Sequence, residues 1–142
     1  MPKIIDATLV AISFDSGTGG AADLEISGRI FGTTFNENPH EEKSQRDIFT
    51  FPDGPITVAQ GTPTAINSTA TFVLSTPSTE PERLNGKFLQ FGGSLDNFGS
   101  GSKTITTFDI IQVNQPQSHS VRIVSGNAEI RLDFTLNETG FF

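Results

Sequence analysis

The sequence has no cysteine, no tyrosine and no tryptophan, and a single methionine among its 142 residues. Without Cys there is no disulfide framework, no thiolate nucleophile and no Cys-ligated zinc or iron–sulfur centre. Basic side chains are also scarce, with nine Lys and Arg against sixteen Asp and Glu, a net charge of -7. The nine are scattered (Lys3, Arg29, Lys43, Arg46, Arg83, Lys87, Lys103, Arg122, Arg131) and no two are adjacent. Neutralising the phosphates of a nucleic acid needs clustered cations, so nucleic acid is excluded as a partner. An anionic membrane surface is disfavoured for the same reason. No apolar run approaches the roughly 20 residues of a membrane-spanning helix. The opening Met1-Pro2-Lys3-Ile4-Ile5-Asp6 is no signal peptide either, because Asp6 and Thr8 interrupt its apolar stretch. These features leave the compartment open, and a virion or an extracellular assembly is compatible with them.

What is abundant is phenylalanine, with thirteen residues, together with fourteen Gly and eight Pro. The length suits one domain spanning 1–142, large enough to bury about two-thirds of its unfolded surface. Period-2 alternation dominates and no helical period stands out. Segment 4–14 is apolar on both parities, with Ile4, Val10, Ile12 and Phe14 against Ile5, Ala7, Leu9 and Ala11. It is therefore expected as a central strand covered on both faces. Segment 23–35 alternates and is expected to form a hairpin with it across a glycine-rich tip. The polar 36–46 reads as an exposed loop, and 47–51 as a short strand ended by Pro52-Asp53-Gly54-Pro55. Short strands are expected at 56–59, 69–75 and 87–91, loops at 76–86 and 94–102, and a long central strand at 104–113. A final hairpin joins 120–125 to 128–136 at Gly126-Asn127, with Ile130, Leu132, Phe134 and Leu136 facing inward. The expected class is all-β, an antiparallel β-sandwich (jelly-roll or Greek-key like) of about eight or nine strands.

Chemistry-bearing residues do not converge. His40 and His119 are the only imidazoles, and neither stands in a metal-ligand or triad spacing. His40 beside Glu41 and Glu42 reads as a solvated loop. Asp23, Glu25, Glu129 and Asp133 fall on solvent-facing parities, whereas Asp6 and Asp109 lie in the strands read as central, buried beside a partner or facing a groove. The glycine-rich segments 14–20 and 92–99 each offer one Asp, too few oxygens for Ca²⁺, and no helix follows to cradle a phosphate. They read as tight hairpin tips. The sequons at Asn67 and Asn137 matter only on a secretory route that glycosylates. No catalytic residue, metal or cofactor is assigned, and the chain is not read as an enzyme.

Most Phe positions suit a sandwich core. Phe98, in a glycine-rich segment, and the terminal Phe141 and Phe142 do not, and such rings are costly to leave in water. They are the expected interface residues. The function expected is a non-catalytic structural or interaction protein, a self-assembling β-sandwich subunit such as a virion or phage decoration or tail component. Its partners would be copies of itself or other protein subunits. The alternative is a lectin-like carbohydrate-binding module, with Asn36, Asn38, Asp53, Asp96 and Asn97 as ligand-binding residues. A further alternative is a β-rich pore-forming or toxin component.

Overall fold

A computed structural model describes residues 3–16, 23–37, 40–75, 86–109, 115–126 and 128–141. They form ten strands: β1 (Lys3–Ser16), β2 (Asp23–Ile26), β3 (Gly28–Asn36), β4 (Glu41–Phe49), β5 (Ile56–Ala59), β6 (Thr64–Leu74), β7 (Phe88–Leu95), β8 (Gly99–Ile105), β9 (Gln117–Ser125) and β10 (Ala128–Phe141). A single 3-10 turn spans Thr107–Asp109. Two four-stranded antiparallel sheets, ordered β6-β1-β10-β9 and β4-β3-β7-β8, face each other, and a small β2-β5 sheet accompanies them. The expected all-β sandwich is thus observed, with ten strands among the described residues.

Strand β1 is central, between β6 and β10, but for a different reason from the one its composition implied. Its buried apolar residues are Ile5, Ala7 and Leu9, then Ile12 and Phe14, with Ser13 buried between the last two. The parity changes because Val10 is an extra residue: Leu9 pairs with Phe134 and Ala11 with Asp133, leaving Val10 in a bulge. A bulge inserts one residue and turns the rest of the strand over. Opposite it, β6 skips from Ser68 to Ala65, and Asn67 there takes a positive φ of 56°. So the apolar core side of β1 changes parity at the bulge, and the other side is half-buried except at the buried Ser13.

Several expected pairings are corrected. β1 does not pair with the 23–35 segment; β3 pairs with β4 and β7, and β2 pairs with β5. The polar 41–46 is not a loop but most of edge strand β4, whose exposed charges suit a sheet edge that must not recruit another chain. The glycine-rich 94–102 is not a loop either: β7 and β8 form a hairpin turning at Asp96-Asn97-Phe98. The long strand expected at 104–113 ends at Ile105 and gives way to the 3-10 turn. The loop expected at 76–86 lies, except for Gly86, outside the described residues, as does residue 110 onward to 114. The last hairpin is as expected, with Ala128 opposite Ser125 and Ile130, Leu132, Phe134 and Leu136 all buried.

One hydrophobic cluster draws on both large sheets, joining Ile5, Leu9, Phe72 and Leu132 of one to Ile30, Leu89, Phe91 and Leu95 of the other. Phe91 meets Phe134 edge-on across the gap, centroids 5.1 Å apart. Gly32 makes room for the Phe72 ring of the opposite sheet, since a Cβ there would lie 2.5 Å from Phe72 Cζ. Each such ring removes well over 100 Å² from water, which is where the stability of a cysteine-free sandwich must come from.

Candidate functional site

The outer face of the β4-β3-β7-β8 sheet carries a groove of about 470 Å³ lined by Phe31, Gln90, Gly92, Ser94, Ser100 and Ser102, with the backbone of neighbouring residues. Register explains the grouping: Phe31 lies opposite Gly92, and Gly92 opposite Ser102; Ser94 lies opposite Ser100. The inward parity of the same strands supplies the core through Ile30, Leu89, Phe91 and Leu95. The floor is kept bare at Gly92, where a Cβ would stand 2.1 Å from the Gly101 carbonyl oxygen.

The groove lining bears no formal charge. The Gln90 amide donates to Ser102 Oγ at 3.0 Å, and Arg29 places its guanidinium 4.6 Å from the Phe31 centroid while its Nε bonds Asp47 Oδ1 at 2.6 Å. Arg29 is thus neutralised by Asp47 and stacked on the ring, a pairing its planar cation suits. The result is an apolar wall beside a bed of hydroxyls and one amide, in the size range of small-molecule sites. Such a surface can hydrogen-bond and pack, but holds no nucleophile–base pair.

The ligand residues expected from sequence do not come together. Asn36, half-buried, accepts a hydrogen bond from the Lys87 backbone N–H at 3.0 Å and so ties the end of β3 to the chain entering β7. Asp96 and Asn97 share the β7–β8 turn at the other end of β3, roughly 25 Å away by strand rise. There Asp96 N–H donates to Ser27 O at 2.9 Å, Ser27 Oγ donates to Asp96 Oδ2 at 3.2 Å, and Asn97 adopts a φ of 59°. Asp53 is exposed in the turn after β4. Asn38 lies outside the described residues. Phe98 is partly buried against the chain's own core, and Phe141 is held by backbone pairing with Lys3. Its side chain, and all of Phe142, lie outside the described residues.

Several of the carboxylates have partners. Asp6 accepts from Thr71 Oγ1 at 2.7 Å, Asp109 from the Thr106 N–H at 2.8 Å, and Asp133 from Ser120 Oγ at 2.9 Å and Arg131 Nε at 3.0 Å. Glu129 faces Arg122 at 3.2 Å, and Glu138, only 2% exposed, faces Lys3 Nζ at 3.3 Å. Asp109 is exposed in its turn rather than buried in a strand. His40 bonds Glu37 at 3.2 Å and packs on Phe35. His119 is half-buried against Phe91 with burial holding its basicity below that of a free imidazole. Among the described residues no three His, Asp or Glu side chains are grouped to hold a metal.

Sequence reasoning missed Phe31, Gln90 and Ser102. The signal was present for Phe31, since it shares a parity with Arg29 and Thr33, but Gly92 and Ser102 were hidden by reading their segment as a loop. Among the described residues no helix is long and apolar enough to cross a membrane. No protein-family model matches the chain, and no curated protein matches it.

Proposed function

We propose that the chain is a non-catalytic interaction protein, a β-sandwich subunit that assembles with copies of itself or with other protein subunits, as a virion or phage decoration or tail component does. The observation that carries this reading is the backbone pairing of β10 as far as Phe141. Strand β10 runs on through Phe141, which pairs with Lys3 at the edge of the core. That pairing fixes the backbone at Phe141 beside Lys3, and a ring carried on a fixed backbone can serve as a constant point of contact for a partner. The partnered carboxylates add support, because a carboxylate engaged by Thr, Ser or Arg on its own sheet face is a structural one. Light scattering at micromolar concentration tests the reading: an oligomer that the double variant Phe141→Ser/Phe142→Ser dissociates is expected, and a mass unchanged by that variant sinks it.

The groove favours a second reading, a lectin-like module for a neutral carbohydrate. Its lining is uncharged in a chain of net charge -7, and sets a ring beside hydroxyl and amide groups. Pyranoses offer a matching apolar face and a rim of hydroxyls. Amide chemical-shift changes at Phe31, Gln90 and Ser102 on adding maltotriose, cellotriose or triacetylchitotriose are expected. No saturable change with any of the three, and a glycan array without hits in Ca²⁺, would discard it.

A further inference from the structure

Thr107, Asn137 and His119 carry the buried side-chain polar atoms without a hydrogen-bond partner among the described residues, and of the three His119 is the titratable one. It lies on β9 between the exposed Ser118 and Ser120, and shares its inward parity with the buried Val121 and Ile123. Its ring stands edge-on to Phe91, 5.7 Å between centroids at 74°, and its cross-strand partner on β10 is Phe134, which itself packs on Phe91. Both ring nitrogens are buried, and neither has a hydrogen-bond partner among the described residues. Buried polar groups are normally satisfied, so an orphaned pair marks a site that accepts one protonation state much better than the other. A neutral imidazole works there as an aromatic wedge. An imidazolium adds a charge and a second N–H donor with no acceptor to meet them.

Among the described residues, two charged groups act on the ring. Lys103, on β8, lies opposite Phe91 in the β7–β8 register, and Asp109 lies in the 3-10 turn. Burial opposes protonation most, Lys103 opposes it next, and Asp109 favours it. The facing residues of β7 and β10 are Phe91 and Phe134, and residues 110–114, Ile-Ile-Gln-Val-Asn, include no titratable side chain. Strands β8 and β9 belong to different sheets and meet in a seam, where a Cβ at Gly101 would come within 2.6 Å of the Arg122 carbonyl oxygen.

We propose that His119 is an acid-sensitive latch on the β8–β9 seam: neutral, its ring closes the end of the core beside Phe91, and protonated, it leaves that place and loosens β8 from β9. Since Phe91 and β8 also line the outer groove, the groove wall follows the latch. The proposal is independent of what the groove binds and of whether the chain assembles.

Amide hydrogen exchange by NMR on the full chain at pH 7.5 and pH 5.0, corrected for intrinsic rates, tests it. Protection of β8 and β9 amides, and of the β7 and β10 amides bonded to them, is expected to fall at least tenfold at the lower pH, while β1 amides and the β10 amides bonded to β1 keep theirs. In His119→Phe, which keeps the wedge and takes no proton, β8 and β9 are expected to be equally protected at both. If that variant does not fold, Lys103→Gln replaces it. Removing the repelling charge is then expected to move the loosening, and the NMR titration of the His119 ring, to higher pH. No loss in the wild type, an equal loss at β1 amides and the β10 amides bonded to β1, the same loss in His119→Phe, or a midpoint unmoved by Lys103→Gln would each overturn the latch.

Discussion

The substitution Gly92→Ala tests the paired β7–β8 hairpin directly. A methyl group at this position would sit 2.1 Å from the Gly101 carbonyl oxygen and 2.7 Å from Ser102 Cα, where ordinary carbon contacts are about 3.5–4.0 Å. Both obstacles are backbone, so no rotamer change relieves them. Relief requires β7 and β8 to part around the pairs Gly92–Ser102 and Gly93–Gly101. Overpacking of this kind costs about 1–3 kcal/mol, and a ladder hydrogen bond stretched in the process adds about 1 kcal/mol. A destabilisation of about 3 kcal/mol is expected. For a chain of this length that lowers Tm by roughly 10 °C. Far-UV circular dichroism during heating and urea titration measures it, since the chain offers no Trp for fluorescence. Gly61→Ala is the control: its φ is +81° but nothing lies within 4 Å, so only a backbone penalty of about 1 kcal/mol applies. If Gly92→Ala proved no worse than Gly61→Ala, residues 92–101 would be the loop that their glycine content implies, and the hairpin would be wrong.

Three further outcomes follow from the packing. Phe134→Ala removes a side chain only 1% exposed that bridges Leu9 and Phe91, and should cost about 3–5 kcal/mol in urea unfolding. Lys3→Met leaves the Glu138 carboxylate buried without its cation and should cost about 1–3 kcal/mol, whereas Lys3→Arg should restore most of the loss. The His119 imidazole is held less basic in the fold than its ordinary 6.5, first by burial and then by Lys103. Above pH 6.5 both folded and unfolded chains carry it neutral, and its contribution is fully present. As the pH falls below 6.5 the unfolded chain binds the proton first, so urea midpoints should drop in that range, and by less in His119→Phe.

Much of the architecture was legible because alternation reports a one-sided strand directly. The run Ile130, Leu132, Phe134 and Leu136 predicted β10 and its hairpin with β9, and all four residues are buried. Alternation does not say which strand lies alongside. The neighbours of β1 come from residues 64–74 and 128–141, and chain proximity wrongly favoured 23–35. Two stretches were illegible for opposite reasons. The 41–47 part of β4 is exposed or half-buried and carries no apolar residue to mark it, and β7–β8 is rich in Gly because backbones approach too closely for a Cβ. The bulge at Val10 mixed two parities and imitated a strand buried on both faces. The groove was hidden with the hairpin that builds it. His119 looked like one more polar residue between serines, because its isolation is a property of the opposing sheet, through Phe91, and not of its neighbours in the chain.

Assembly is the central claim, and sedimentation equilibrium of the unmodified chain over 1–100 μM tests it most directly. A mass that is an integral multiple of 15.2 kDa is predicted at the upper concentrations. A single species of 15.2 kDa throughout would contradict it.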